Sequence, residues 1–95
     1  MKEIESNAVK AAEFLKAIVH KDRLVILCFL SQNEMSAGQL QANSSLSQSA
    51  FSQQLKVLRD NGLVKTRKDA QMVYYSIRDL AVNKILQTLY EIYCK

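Results

Sequence analysis

Two helix starts lie close together in the middle of this 95-residue chain, and few folds accommodate them. Ser36 with Gln39 matches the capping-box pattern, in which each residue's side chain accepts a hydrogen bond from the other's backbone. Ser47 provides a second cap, before a helix that is expected to end at Gly62, because glycine readily takes the left-handed terminal conformation. Two short capped helices joined by a tight polar turn predict a helix-turn-helix over about 36–61.

The second of these helices has an apolar and a polar face. Phe51, Leu55 and Leu58 recur at helical spacing and form the apolar stripe. The polar face carries hydroxyls, amides and one cation, namely Ser47, Gln48, Ser49, Ser52, Gln53 and Lys56. Such side chains can reach base edges in DNA, while Lys56 and Arg59 suit phosphates. Taken alone, the pattern also fits an ordinary amphipathic helix with a solvated polar face.

Two segments are rich in β-forming residues, 63–68 and 72–77, and a short polar break separates them. This pattern predicts a hairpin over about 63–77. The turn has no glycine, so its type stays open. The side chains that this hairpin would offer to DNA are Lys65, Arg67, Lys68 and, in the turn, Gln71.

Positive charge is concentrated in the same part of the chain. Residues 44–78 hold six basic and two acidic side chains, whereas the rest of the chain holds seven of each. The whole net charge of +4 therefore lies around the second helix and the hairpin. Confined positive charge of this kind is typical of a face that binds nucleic acid.

The flanking segments predict three further helices. Residues 3–19 have apolar side chains at three- and four-residue spacing, and Asp79 is expected to cap a last helix over about 79–94. The segment at about 22–31 is apolar nearly all round, so we expect it to be buried on several sides as the core helix. The apolar stripes of the first and last helices could complete the core or pair with a second copy. We expect each stripe to do both. A single helix-turn-helix contacts few base pairs, so useful affinity requires a symmetric dimer on a palindromic site.

The order of elements is helix, helix, helix-turn-helix, hairpin, helix, which predicts a mostly helical single domain over residues 1–95. This is a winged helix-turn-helix, in which the second helix of the motif enters the major groove and the hairpin, or wing, lies beside it. No apolar run is long enough to span a membrane, and the N-terminus does not resemble a secretion signal. We therefore expect a cytoplasmic protein with no membrane partner, no enzyme activity and no cofactor.

The segments Leu46–Leu55, Leu58–Val64 and Thr66–Lys68 resemble the recognition helix and wing of the ArsR family, the SmtB/ArsR-like transcriptional repressors of bacteria. The resemblance extends through essentially the whole chain. It includes His20–Leu24, which is similar to the family's His-Pro-x-Arg-Leu turn. The resemblance implies a homodimer, paired through the first and last helices, that represses transcription by binding a palindromic operator in double-stranded DNA.

The chain departs from the family pattern at several positions. Lys21 stands where proline is usual, and Gln54 stands where histidine is frequent, which is expected to alter the preferred bases. Many ArsR-family proteins sense metals, but residues 35–40 contain no cysteine and residues 79–95 contain no histidine. His20 is the only histidine and is expected to have a structural role. The sequence therefore predicts no metal site.

The two cysteines resemble those of a subgroup of the family, the BigR, SqrR and HlyU-like proteins. Leu27-Cys28 is similar to the Leu-Cys of their second helix, and Tyr93-Cys94 to the aromatic-Cys pair that ends their last helix. In an arbitrary protein, Cys28 would be an inert buried side chain and Cys94 an exposed thiol without a role. The resemblance implies a thiol switch, in which persulfide, polysulfide or an oxidant links the two thiols of one protomer and releases the DNA. Lys95 is the one basic residue that adjoins Cys94.

Two alternatives to a repressor stay open. The resemblance to HlyU-like proteins also fits an anti-silencer, which activates genes by displacing another DNA-binding protein. A helical module that binds a protein partner through the stripe of the last helix is the second alternative. It would not retard DNA at moderate salt concentration.

Overall fold

A computed structural model describes residues 1–94 and shows a mostly helical protein with a small antiparallel sheet. In chain order its elements are α1 (Lys2–Ile18), α2 (Lys21–Leu30), β1 (Met35–Ser36), α3 (Ala37–Ala42), α4 (Gln48–Asp60), β2 (Val64–Asp69), β3 (Met72–Ile77) and α5 (Leu80–Tyr93). The predicted helix-turn-helix is confirmed as α3 and α4, and the predicted hairpin as β2 and β3. The predicted flanking helices are confirmed as α1, α2 and α5.

Side-chain caps define the ends of the helices near the functional region. In the capping box of α3, the Gln39 N–H donates to Ser36 Oγ (3.1 Å) and the Ser36 N–H donates to Gln39 Oε1 (2.9 Å). The Ala50 N–H donates to Ser47 Oγ (3.2 Å) at the start of α4. At the end of α4, Gly62 has a positive φ of 71°, which is the left-handed conformation expected at a helix terminus.

The sheet has three strands in the order β1-β3-β2, one more than the predicted hairpin. Met35 and Ser36 pair with Tyr75 and Tyr74 of β3. Ser36 is also the N-cap of α3, with an extended backbone (φ −75°, ψ 160°), and extended backbone can pair with a strand. A strand of two residues has no alternation that a sequence can reveal, so the sequence pattern at these residues predicts a helix start alone. β1 joins the start of α3 to the wing.

The expectation that α2 is buried on several sides is wrong. Ile26, Leu27 and Leu30 are buried, and α2 packs against α4 and β3 on that side. Cys28 and Phe29 are exposed, as is Val25. The elements that pack on α2 cover one side of it, so its apolar residues divide between core and surface. Cys28 is therefore not the buried side chain expected at such a position in an arbitrary protein.

α1 and α5 turn only part of their apolar surface towards the core. Ala17 and Ile18 are buried on α1, and Val82 and Leu86 are buried on α5. Apolar side chains that remain exposed on the two helices are Ile4, Val9, Leu15, Leu80, Tyr90, Ile92 and Tyr93. Within the described residues, no helix combines the length and the apolar character that a membrane crossing needs.

Candidate nucleic-acid interface

The polar face of α4 is open to solvent. Its apolar stripe, Phe51, Leu55 and Leu58, is buried in the core, which turns the opposite side of the helix outward. The exposed polar residues are Gln48, Ser49, Ser52 and Gln53. Among residues 1–94, none of these four side chains has a hydrogen-bond partner within the protein. Their amides and hydroxyls are free to bind another molecule.

An open groove of about 470 Å³ runs between α3, α4 and β3 along this face. Its lining includes Ala37, Gly38, Gln48, Ser52, Lys56 and Tyr75. The first two of these are small residues at the start of α3, and they leave the adjoining side chains of α4 accessible. The groove therefore combines hydroxyl, amide and ammonium groups on a surface that α4 dominates.

Two cations lie towards the C-terminal half of α4. Lys56 Nζ lies 2.7 Å from Asp60 Oδ2, one helical turn on, and both side chains are exposed. An exposed pair of this kind contributes only about 0.3–0.5 kcal/mol, so a phosphate can compete for the ammonium. Arg59 is exposed and has no ion-pair partner in the described part of the chain.

Gln54 is not part of the polar face. The side chain is half-buried, and its Oε1 atom is out of solvent with no hydrogen-bond partner in the protein. The expectation that Gln54 alters the preferred bases stays a prediction, and its half-buried side chain would act on the neighbouring residues of α4. Its neighbour Gln53 is exposed.

The wing offers two lysines without ion-pair partners and one arginine that is already paired. Lys65 and Lys68 are exposed, and neither forms an ion pair with a described residue. Arg67 donates from Nε to Glu34 Oε2 (2.8 Å) and from Nη2 to Glu34 Oε1 (2.6 Å). The Arg67 guanidinium also lies over the Tyr74 ring, 4.7 Å from its centroid.

This pairing shifts the ionisation of both partners. The hydrogen bonds with Arg67 lower the pKa of Glu34, and the positive charges of Arg67 and Lys65 lower it further. The same hydrogen bonds raise the pKa of Arg67. Both groups are therefore charged over the whole physiological range. The prediction that Arg67 binds DNA phosphate stays a prediction, but the structure gives this arginine another partner.

The tip of the wing is a two-residue turn. Asp69 pairs with Met72, so that Ala70 and Gln71 connect the strands. Ala70 has a φ of 56°, which explains how a turn without glycine closes this hairpin. The Gln71 side chain is exposed at the tip.

The two thiols are exposed on the surface of the same protomer. Partial loss of solvent around the Cys28 thiol raises its pKa, because the thiolate form is less well hydrated there. The negative charge of a Cys94 thiolate raises this pKa further. Lys95, the predicted basic neighbour of Cys94, lies outside the described residues.

Comparison with known proteins identifies the family. A family model described as "Bacterial regulatory protein, arsR family" matches residues 20–66. The chain is 45% identical over 95 residues to the transcriptional activator HlyU of Vibrio cholerae, covering 100% of this chain and 88% of that protein. It belongs to the ArsR family. The biofilm growth-associated repressor of Agrobacterium fabrum is a second ArsR-family relative, 37% identical over 96% of this chain and 78% of its own length.

A solved structure extends this relationship to the fold. Reduced HlyU from Vibrio cholerae matches with a TM-score of 0.93 and 45% identity, over 100% of both chains. The fold is the winged helix-turn-helix of ArsR-family regulators, which bind DNA and act as dimers. The described residues of this ArsR-family chain contain no group of three or more potential metal ligands. His20 instead caps α2, because its Nδ1 accepts a hydrogen bond from the Asp22 N–H (3.2 Å).

Sequence patterns did not reveal two residues of the interface. Glu34 precedes β1, and its partner Arg67 is 33 positions further along the chain. Tyr74 faces Arg67 directly across the β2–β3 ladder. The register of a hairpin could have suggested the Tyr74 contact, but no local pattern joins Glu34 to the wing.

Proposed function

We propose that this protein is a dimeric, sequence-specific transcriptional regulator that binds a palindromic operator in double-stranded DNA in the cytoplasm. The open row of unpartnered amides and hydroxyls on α4 carries the proposal. A helix that presents such a row can enter the major groove, where each base pair displays a distinct pattern of donors and acceptors. Membership of the ArsR family supports the same role.

The interface divides into base-reading and phosphate-binding groups. The side chains proposed to contact base edges are Gln48, Ser49, Ser52 and Gln53. The N-terminal end of α4, at Ser47, points into the major groove of the DNA. Phosphate-binding cations are Lys56 and Arg59 on α4 and Lys65, Arg67 and Lys68 on the wing, and Gln71 lies at the wing tip. Amides bind base edges in pairs of hydrogen bonds, whereas lysines act as point charges on the backbone.

The exposed apolar surfaces of α1 and α5 support the dimer. Ile4 and Val9 on α1 are 67% and 58% exposed, and Ile92 on α5 is 63% exposed. Large exposed apolar patches commonly mark surfaces that a protein partner covers. Pairing of these helices across a two-fold axis buries them and presents two copies of α4 to successive major grooves.

A DNA-binding assay tests this part of the proposal. Duplexes are selected by the wild-type protein from a random-sequence library, and affinity is then measured by fluorescence anisotropy at several salt concentrations. Gln53→Ala is expected to relax base preference, whereas Lys56→Gln is expected to weaken all sequences alike and to reduce the salt dependence. Affinity that is indifferent to salt and sequence would contradict the proposal and would favour the protein-interaction module instead.

We further propose that reactive sulfur controls the regulator through Cys28 and Cys94. Exposure of both thiols and their electrostatic interaction within one protomer support this switch. A thiolate takes the sulfane sulfur of an organic persulfide RSSH, which forms a protein persulfide and releases RSH. The second thiolate attacks the protein sulfur of that persulfide and expels hydrosulfide, so that the two thiols are oxidised to a disulfide.

Longer bridges are possible when both cysteines carry a persulfide. Two protein persulfides condense to a trisulfide and release hydrogen sulfide. A direct disulfide needs Cα atoms within about 7 Å, whereas an inserted sulfur atom relaxes that limit. Either bridge joins α2, which packs on α4, to the end of the dimer helix α5. Formation of the bridge changes how α2 and α5 pack together. This alters the spacing of the two α4 helices in the dimer and releases the operator.

Cysteine variants test the switch. Cys28→Ser and Cys94→Ser are each expected to keep DNA binding and to lose release by an organic persulfide. Mass spectrometry of the intact protein counts the sulfur atoms in the bridge. Because its pKa is raised, Cys28 in the Cys94→Ser variant is expected to react slowly with iodoacetamide at neutral pH, with a rate that rises about tenfold per pH unit. Release of either single variant by persulfide would contradict the switch.

The direction of regulation has two candidates, which the names of the relatives favour equally. One relative is named an activator and another a repressor. We propose repression, in which the bound dimer blocks transcription, because the resemblance to the ArsR-family repressors implies it; displacement of a silencing protein is the alternative. A reporter assay in a strain lacking the gene separates them, because loss of a repressor raises expression and loss of an anti-silencer lowers it.

A further inference from the structure

Arg67 is the best-satisfied cation of the proposed interface. A guanidinium has two edges that can each hold an oxyanion with two parallel hydrogen bonds. Glu34 occupies the edge formed by Nε and Nη2, at 2.8 and 2.6 Å. Asp69 Oδ2 lies 3.9 Å from Nη1, on the other edge. The local net charge of this arginine and its two carboxylates is therefore negative, and a phosphate approaching the guanidinium is repelled.

The pair also fastens the wing to the body of the protein. Glu34 lies in the loop between α2 and β1, and the strand order β1-β3-β2 puts β3 between it and Arg67. Its carboxylate reaches Arg67 beside Tyr74, whose ring lies under the guanidinium. A bidentate ion pair thus joins the wing to the loop that follows α2.

The Lys56–Asp60 pair on α4 shows why this arrangement differs from an ordinary surface ion pair. Lys56 and Asp60 belong to one helix and share a single contact of 2.7 Å. An ammonium has three donors, so Lys56 can keep Asp60 and still bind a phosphate. Arg67 has carboxylates at both edges of its fork and a ring over one face. It cannot bind a phosphate through two parallel hydrogen bonds without displacing one of these carboxylates, and on the Nε–Nη2 edge that carboxylate is Glu34.

We propose that Glu34 is a positioning residue for DNA binding: it takes the place of a phosphate on Arg67, fixes the wing, and leaves Lys65 and Lys68 as the wing's phosphate-binding cations. The inference rests on the proposed DNA-binding function and revises it at one residue. Arg67 then holds the wing in place and is not a DNA contact.

Salt dependence of DNA affinity tests this assignment, because it counts phosphate contacts. Each contact adds about 0.9 to the slope of log K against log salt, or about 1.8 for a dimer that carries the change in both protomers. Affinity of the full chain for a duplex selected by the wild-type protein is measured between about 50 and 200 mM salt. Thermal melting of each variant verifies folding.

Five variants test the assignment through the slopes expected of them. Arg67→Gln is expected to keep the wild-type slope, and Lys68→Gln to lose about 1.8. Glu34→Gln frees the Arg67 fork and is expected to steepen the slope by up to about 1.8, and the double variant with Arg67→Gln to return to wild type. Asp69→Asn removes an equal charge without emptying the bidentate edge, so it is the matched control and is expected to change the slope less than Glu34→Gln.

Three results would overturn the inference. The first is an Arg67→Gln slope as flat as that of Lys68→Gln. The second is a Glu34→Gln slope equal to wild type, and the third is a wild-type slope in both Lys65→Gln and Lys68→Gln. Failure of the proposed function gives a different result, since the wild-type protein itself would then bind DNA without dependence on salt or sequence.

Discussion

The polar face of α4 and the wing differ in whether their polar and charged side chains already have partners within the protein. On α4, the side chains of Gln48, Ser49, Ser52 and Gln53 have no partner within residues 1–94. In the wing, Arg67 is held by two hydrogen bonds. A helix satisfies its backbone internally and is fixed by its buried stripe, so its outer face stays free. A small sheet has little buried surface, and side-chain pairs fasten its edge strand.

The difference shows that formal charge is a poor measure of the charge available to a ligand. Lys65, Arg67 and Lys68 contribute equally to the net charge of the wing region. Only the lysines lack an ion pair among the described residues. The cations of a patch therefore need to be weighed by the partners that the fold gives them.

The variant with the largest expected effect tests whether buried side chains of α4 contribute more to stability than those of the wing. Leu58 is 0% exposed beneath α4, so Leu58→Ala leaves a cavity and is expected to lower the free energy of unfolding by about 2–5 kcal/mol. Val73 on β3 is half-buried, and Val73→Ala is expected to cost clearly less. Urea denaturation measures both. Equal losses would show that the two regions are anchored alike.

A second prediction separates base reading by α4 from charge binding by the wing. Gln53→Ala is expected to reduce discrimination between the selected operator and a variant with one base pair changed by about 1–3 kcal/mol. Lys68→Gln is expected to weaken both duplexes equally. Competition binding with the two duplexes measures the ratio, and a Lys68→Gln variant that alters it would give the wing a share in sequence reading.

A third comparison uses the left-handed residue that each region contains. Gly62 ends α4 with φ 71°, and Ala70 turns the wing with φ 56°. A Cβ at Gly62 meets no atom within 4 Å, so Gly62→Ala changes only backbone strain and is expected to cost about 1–2 kcal/mol. Ala70→Gly relieves such strain in the folded protein, but glycine also has more conformational freedom in the unfolded chain, which offsets part of the gain. The net expected effect is a rise of about half a kcal/mol in the free energy of unfolding. Thermal unfolding measures the two opposite shifts.

Two serines of α4 give a smaller effect with a matched control. Ser47 Oγ accepts a hydrogen bond from the Ala50 N–H, so Ser47→Ala is expected to lower the free energy of unfolding by about 1 kcal/mol. Ser49 is exposed and has no such bond, so Ser49→Ala is expected to stay within about 0.5 kcal/mol of wild type. A stability loss in Ser49→Ala would mean that the polar face is not free.

The smallest expected effect concerns pH and the wing. Because Arg67 lowers the pKa of Glu34, the stability that this pair contributes is present above the unfolded pKa of the carboxyl. It is lost only as pH falls through the lower folded value. The difference in melting temperature between wild type and Glu34→Gln is therefore expected to be constant from about pH 8 to pH 5 and to shrink in stronger acid. A difference that shrinks near neutral pH would contradict the pairing.

Much of the architecture was predictable because it depends on residues a few positions apart. The caps at Ser36, Ser47 and Asp79 each involve a backbone N–H within three residues, and the serine and aspartate signals predicted them. The stripe on α4 follows the helical period, so its burial was also predictable. The exposure of Cys28 was not, because an all-apolar segment does not reveal which of its sides the neighbouring elements cover.

The sequence by itself determined where the helices begin and end, which face of α4 is apolar and where the hairpin turns. Only the tertiary structure decided that β1 joins the sheet, that Cys28 is exposed and that Glu34 binds Arg67. The physical reason is the range of the interactions. Caps and stripes are fixed by neighbours within one or two turns, whereas the Glu34–Arg67 pair spans 33 positions and exists only once three strands have assembled.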